Sequence, residues 1–278
     1  AICGSDGAGV VEKCGSDVDS DLIGQECVIY PALNWGDNPR CGGPDFRVLG
    51  MPEQGTFAEY ICVPVSSVFP KPKHLSWAEA AALPLAGLTS WRATVTHGML
   101  QKGEKILITG IGGGCATFVL QWANAIGAKA YVTSSSKEKL DRARELGAQQ
   151  GFNYRKELWA KEAKKATNGF DLIVDSGGGN GLNSLLDTLA NGGRYVFFGA
   201  TQGDAGKGLK MAKLFFKQVR IQGSTMGREV EFSDMLKFVE DHSIIPVVDK
   251  VYPLDEAVEA HQRMLNSEQL GKIVLNLQ

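Results

Sequence analysis

Apolar positions along this chain recur at two different spacings, and the places where one spacing gives way to the other mark its elements. Short apolar runs at 105–108, 129–133, 171–175, 194–198 and 219–222 predict strands. Between them, apolar residues recur at helical spacing over 117–126, 135–146, 182–189, 211–216 and 232–240. Strands alternating with helices in this way predict a parallel, doubly wound α/β sheet from about Gly87 to His242. Residues 1 to about 83 read differently. Gly and Pro punctuate them, with short β-like runs at 9–12, 26–29 and 57–63 and a long irregular loop at 31–55. That loop carries Trp35 and Phe46, and a loop of its length is expected to line a site. The end of the chain, 245–261 and then 272–277, predicts a strand, a turn, a helix and a final strand.

The join at 105–117 is the most informative chemically. An apolar strand breaks into Gly110, Gly112, Gly113 and Gly114, and a helix with an apolar face follows at once. Glycine lets a backbone take turns that a Cβ forbids and lets a ligand approach closely. The helix start adds unpaired N–H groups and a partial positive charge, which together suit a pyrophosphate. A tight turn between packed elements is the plainer reading of the same glycines. Phe118, Leu120 and Trp122 on the helix read as core.

The second strand completes a β-α-β unit of ordinary length. Dinucleotide sites that hold an unphosphorylated ribose carry Asp or Glu where this strand ends. Here the position holds Thr133, Ser134, Ser135 and Ser136, followed by Lys137 and Lys139. Hydroxyls and lysines without an acid suit a 2′-phosphate, so NADPH is favoured over NADH. Ser135 and Glu138 also fit an S-x-x-E capping box, which accounts for the serine and the glutamate but not for the missing acid. Phe198, Gly199 and Ala200 follow a strand at the sheet end where ligands bind, although a strand-ending turn needs the same residues. Asp175, before a run of glycines, is a further candidate that could equally terminate its strand.

Length and charge narrow the class. The 278 residues allow one large or two medium domains. The net charge of −2, with both signs interspersed, points to neither nucleic acid nor an anionic membrane. No apolar run approaches about 18 residues, so no membrane-spanning helix is predicted, and no signal peptide is read. Six scattered cysteines without a C-x-x-C pair suit a reducing cytoplasm.

Several motifs in order carry a family resemblance. They are Gly7-Ala-Gly-Val-Val-Glu-x-x-Gly15, Gly55-Thr-Phe-Ala-Glu-Tyr60, the 80–91 run ending Ala-Gly-Leu-Thr-Ser-Trp, Lys102-Gly-Glu-Lys-Ile-Leu-Ile108, Arg144-Glu-Leu-Gly-Ala148 and Gly271-Lys-Ile-Val-Leu275. Across essentially its whole length the chain resembles the medium-chain dehydrogenase/reductase superfamily. The loop Gly110-x-x-Gly113-x-x-Ala116 is most similar to the zinc-free quinone oxidoreductase branch. The resemblance implies a Rossmann domain over 84–242 and a GroES-like β-barrel domain from 1–83 and 243–278. It also implies a further barrel segment ahead of Ala1, so that the barrel here is partial and part of the substrate pocket lies in that segment.

The resemblance further implies the site. Thr89 falls where a hydroxyl approaches the nicotinamide and phosphates, unless it bonds its own helix backbone. Gly110, Gly113 and Gly114 admit the pyrophosphate. Ser135, Lys139 and Tyr154 match the trio that holds a 2′-phosphate. Lys272 is a weaker candidate, a lysine that solvent would also satisfy. Ser5 and Asp6 border the reaction cleft by family position, with a turn role as the alternative, and Tyr30 is a candidate proton donor that also reads as a strand aromatic. For zinc, about three protein ligands are needed. Ser5-Asp6 stands where the zinc branch has a His-Glu pair, Ala86 where it has a cysteine, and the 31–55 loop offers Cys41 alone. His74, His97, His242 and His261 have no ligand spacing.

The expected activity is therefore a zinc-free, NADPH-dependent reduction of a quinone or an α,β-unsaturated carbonyl by a homodimer. Such substrates delocalise the charge that hydride transfer creates. A non-catalytic dinucleotide-binding relative and a zinc alcohol dehydrogenase are the alternatives. Neither the substrate nor the proton donor is legible in the sequence.

Overall fold

β1 (Ala8–Val10) and β2 (Glu26–Ile29) pair antiparallel, with Ala8 opposite Val28. In the computed structural model, which describes residues 2–205 and 209–277, the 31–55 segment is not wholly irregular. β3 (Ala32–Leu33) pairs there with β4 (Arg47–Val48). Trp35 is buried and meets Phe46 edge-on at 5.1 Å, so these two rings pack on each other. β5 (Val68–Pro70) closes a three-stranded sheet along the other side of β2. The β-like run 57–63 forms no strand. Only its start is held, by the Phe57 N–H donating to Cys3 O. Among the described residues nothing pairs along the rest, and a lone extended segment leaves its backbone groups to solvent.

Two short helices follow. α1 (Trp77–Ala82) opens on a capping box between Ser76 and Glu79. α2 (Pro84–Trp91) starts with proline at its first position, where no N–H is required. Its next N–H, on Leu85, donates to Asp6 Oδ1 at 2.5 Å, and Asp6 Oδ2 pairs with Lys272 Nζ at 2.7 Å. A carboxylate from the beginning of the chain thus caps a helix start and is tied to its end. A π-helical turn, Arg92–His97, continues from α2.

The doubly wound sheet expected from the alternation is present. It is built from β6 (Lys105–Ile108), α3 (Gly114–Ile126), β7 (Lys129–Ser134), α4 (Lys137–Glu145), β8 (Gln150–Asn153), α5 (Trp159–Thr167), β9 (Phe170–Asp175), α6 (Leu182–Thr188), β10 (Leu189–Phe197), α7 (Met211–Lys217) and β11 (Arg220–Gly223). All six strands run parallel in the order β11-β10-β9-β6-β7-β8. Strand residues alternate between two cores. Ile106, Ile108, Val132, Leu172, Val174 and Val196 pack with Val119, Leu120 and Ala123 of α3. Leu107, Ile173 and Tyr195 face the other way, with Leu185, Leu186 and Phe170. Burial on both faces explains the near-continuous apolar runs, each fully buried aliphatic side chain contributing about 1.5–3 kcal/mol. Phe118, Leu120 and Trp122 are core, as expected, and Trp122 Nε1 donates to the buried Ser90 Oγ at 2.8 Å.

Past β11 the chain adds α8 (Glu229–Asp241), β12 (Val248–Pro253), α9 (Ala257–Leu265) and β13 (Lys272–Asn276), with β12 and β13 parallel. By contacts the chain divides into Ala1–Leu88 with Met226–Gln278, and Thr89–Thr225. Residues 84–88 and 226–242, within the Rossmann bounds that the resemblance implies, fall by contacts with the first unit. Phe232 of α8 shows why. It lies against Tyr30 and Phe69 of the first unit at 5.5 and 5.0 Å.

The ends of β6, β9 and β10 are joined by one buried side chain. Asp175 Oδ1 accepts from Thr109 Oγ1 at 2.5 Å and Gly177 N at 3.0 Å. Its Oδ2 accepts from Gly178 N at 2.9 Å and Tyr195 Oη at 2.5 Å. Burial, and then the charge of Asp175, push the Tyr195 phenol well above its ordinary pKa, so it stays a donor.

Two stability outcomes follow from these contacts. Asp6→Ala removes the α2 cap and the ion pair with Lys272, and should cost about 1–3 kcal/mol in chemical denaturation, with Asp6→Asn costing less because it keeps an acceptor. Tyr195→Phe leaves Asp175 Oδ2 one donor short inside the protein and should cost about 1–3 kcal/mol. An unchanged denaturation midpoint in either alanine or phenylalanine variant would remove the role given to that contact.

Candidate functional site

The glycine loop between β6 and α3 is braced on both sides by threonines. Thr109, the residue after β6, donates through Oγ1 to Asp175 and accepts there from Ser176 N at 3.3 Å. Thr133, near the end of β7, accepts the Gly110 N–H on Oγ1 at 3.3 Å and the Ile111 N–H on its carbonyl at 3.0 Å. Gly110 itself takes φ +61°, a backbone conformation that side chains disfavour. Gly113 is the N-cap of α3, and Gly114 is its first residue. The first-turn N–H groups of α3 lie outside its own ladder and are available to an anion. A Cβ at Gly113 would meet nothing nearer than Gly110 O at 3.6 Å. The loop's own packing therefore leaves open a space that a phosphate can use.

The neighbouring strand ends complete this edge. The turn after β10 is zipped to the turn after β9, Gln202 N donating to Gly177 O at 2.8 Å and Thr201 N to Ser176 O at 3.3 Å. Phe198 packs against the sheet core, and its N–H donates to Asp175 O. At Gly199 a Cβ would fall 2.8 Å from Ser176 O, so the close approach of the two turns explains that glycine without a ligand. Ala200 is exposed beside it. Asp175, for its part, has its acceptor sites filled from within the protein. It shapes the edge by holding the loops and offers no open oxygen.

The 2′-phosphate candidates occupy two adjoining turns. Ser135 lies between β7 and α4, Lys139 in the first turn of α4, and Tyr154 directly after β8, half exposed. The α4 cap is Ser136, whose Oγ accepts the Lys139 N–H at 3.3 Å, and not Ser135 as the capping-box spacing suggested. The chain turns one residue later than that spacing implies, and this leaves the Ser135 hydroxyl outside the cap. Asn153 bridges the two turns. Its Nδ2 donates to Ser135 O at 3.2 Å, and its Oδ1 accepts from Arg155 N at 2.9 Å. Thr89 is buried on the last turn of α2, apart from these turns in sequence.

The remaining candidates belong to the first unit and are engaged in structure. Tyr30 is buried, and its hydroxyl donates to Gly227 O at 2.8 Å. The phenol is thus held by a backbone carbonyl just ahead of α8, with its ring packed against Phe69 and Phe232. Ser5 Oγ donates to Leu49 O at 2.6 Å, and Asp6 is shared between Lys272 and the start of α2. Among the described residues, no group of three or more His, Cys, Asp or Glu side chains is arranged to hold a metal ion. The sequence reading missed Thr109, Tyr195 and Asn153. Only the hydroxyl of Thr109 directly before the first glycine could have drawn notice.

Comparison with known proteins agrees with this architecture. Residues 1–73 match the alcohol dehydrogenase GroES-like domain, and residues 114–241 match the zinc-binding dehydrogenase model. A zinc-type alcohol dehydrogenase-like protein of Schizosaccharomyces pombe is 35% identical, the match covering 99% of this chain and 82% of that protein. Crotonyl-CoA reductase of Streptomyces avermitilis is 29% identical over 98% of this chain and 67% of its own length. A crystal structure of an NAD-dependent alcohol dehydrogenase superposes with a TM-score of 0.93 at 37% identity, covering 100% of this chain and 83% of that one. With a GroES-like segment, a six-stranded parallel sheet and relatives that match nearly all of this chain, the chain belongs to the medium-chain dehydrogenase/reductase superfamily.

Proposed function

We propose that this chain, an NAD(P)-dependent oxidoreductase, uses NADPH to reduce a quinone or an α,β-unsaturated carbonyl without zinc. The observation that carries the cofactor choice is the β7 end. Thr133, Ser134, Ser135 and Ser136 stand where a ribose-binding acid belongs, with Lys139 and Tyr154 on the adjoining turns. NADPH, when bound, supplies the hydride. The residues present fit it: Gly110, Gly113 and Gly114 would receive the pyrophosphate at the α3 start, and Ser135, Lys139 and Tyr154 would hold the 2′-phosphate by charge-assisted hydrogen bonds. Phe198, Gly199 and Ala200 would border the cofactor, Thr89 would approach it through its hydroxyl, and Asp175 would act by fixing the loops. Lys272 is paired with Asp6 within the first unit.

The substrate class rests on what the reaction edge lacks. Ser5 gives its hydroxyl to Leu49 O, Ala86 has no donor atom, and Cys41 is the one thiol of the 31–55 loop, so these residues do not fit a zinc site. Without a Lewis acid, substrates whose conjugation already spreads the developing charge are the reasonable acceptors. The crotonyl-CoA reductase relative, by its name, acts on such a conjugated carbonyl. Tyr30, Ser5 and Asp6 are all committed to partners, so the final proton is assigned to water. The names of the alcohol dehydrogenase relatives favour a second reading, zinc-dependent alcohol oxidation with NAD. The six cysteines are all free, which suits a reducing cytoplasm. The outer edge of β11, where Ile221 is exposed, is assigned as the contact of a homodimer.

Calorimetric titration should give NADPH binding at least about tenfold tighter than NADH. Lys139→Ala should lose most of that difference, since a hydrogen bond to a charged group is worth about 1.5–3 kcal/mol. Equal affinity for the two cofactors would end the NADPH assignment. Stoichiometric zinc by elemental analysis, with alcohol oxidation, would replace the enone reading by the second one. Gly113→Val should weaken NADPH binding by about tenfold or more at unchanged melting temperature, because φ −80° and ψ 148° suit any residue. A parallel loss of stability would mean that this glycine serves the loop itself.

A further inference from the structure

The two turns that carry Ser135 and Tyr154 come from different strands, and a single side chain ties them together. β7 and β8 end in register, Ser134 opposite Asn153. Beyond that pair the ladder stops, and each strand is free to diverge. Asn153 spans the gap with both ends of its carboxamide, donating from Nδ2 to Ser135 O at 3.2 Å and accepting on Oδ1 from Arg155 N at 2.9 Å. The orientation is forced by chemistry. A backbone carbonyl only accepts and a backbone N–H only donates, so the reversed carboxamide would oppose two acceptors and two donors. Tyr154 lies between the two residues that this contact holds, Asn153 and Arg155.

We propose that Asn153 is the positioning residue of the 2′-phosphate subsite. It fixes the spacing of Ser135 and Tyr154 by bonding the backbone of both turns, without touching the phosphate itself. The inference rests on the NADPH reading above and adds the residue on which its selectivity depends. A phosphate held by groups from two turns gains only if those turns are already placed. Without the tether, the ordering of the two turns has to be supplied when the cofactor binds. The nicotinamide and pyrophosphate contacts lie on other strand ends, at Gly110–Gly114 and after β9 and β10, so the tether should leave them alone.

The test uses the full chain with Asn153→Ala and Asn153→Asp, titrated calorimetrically with NADPH, NADH, adenosine 2′,5′-bisphosphate and 5′-AMP. Asn153→Ala should weaken NADPH and the bisphosphate about tenfold while NADH and 5′-AMP stay within about twofold, the latter pair also reporting an intact fold. Asn153→Asp keeps the acceptor for Arg155 N but turns a carboxylate toward Ser135 O, and should lose at least as much. An equal loss for all four ligands, or an unchanged ratio of NADPH to NADH in either variant, overturns the inference. If the unsubstituted chain fails to prefer the 2′-phosphorylated ligands, the NADPH reading itself falls. That failure is visible before any variant is made.

Discussion

The carboxylate of Asp175 is the point on which the sheet edge depends. Removing an ionised group from water costs several kcal/mol unless hydrogen bonds replace its hydration. Here four donors do so, one from the residue after β6, two from the turn after β9 and one from β10. The compensation is a structural constraint as well. None of the three strand ends can shift without leaving a buried oxygen short of a partner. The glycine loop inherits that rigidity through Thr109 and is held from the other side by Thr133. A loop fixed in this way needs little reordering when it meets an anion, which is the condition for preorganised binding.

The first unit solves a similar problem with different residues. Asp6 answers both the exposed N–H at the start of α2 and the ammonium of Lys272, joining the beginning, middle and end of the chain. Ser5 and Tyr30 are also spent on backbone carbonyls. Ser5, Asp6 and Tyr30 thus each hold a partner within this unit. This is why the chemistry of the proposed reaction is assigned to a substrate that already stabilises its own charge.

The proposed cofactor choice rests on a third place, the paired ends of β7 and β8. The missing acid is a local property of one strand end. On that proposal the groups come from two turns, which Asn153 bridges through Ser135 O and Arg155 N. Ser136 supports the same arrangement by taking the helix cap, so that the neighbouring Ser135 hydroxyl is not consumed by α4.

Much of this protein was determined by local pattern alone. Strands buried on both faces must be apolar throughout, and helices on such a sheet must show one apolar stripe. The doubly wound sheet, the glycine loop and the core status of Phe118, Leu120 and Trp122 were therefore readable from periodicity. The absent acid at the end of β7 was readable for the same reason, being fixed by its position in a β-α-β unit. What periodicity does not encode is which distant group meets which. Four successive hydroxyls, Thr133 to Ser136, look alike in sequence, and the path of the turn decided which one caps α4. The run at 57–63 has the composition of a strand, yet a strand exists only where a partner's backbone runs beside it. Asp175, Tyr30 and Asn153 took their roles from partners 20, 197 and 18 residues away along the chain, respectively. Only the tertiary structure brings such partners within hydrogen-bonding distance, because a hydrogen bond reads separation in space and carries no trace in the spacing of residues.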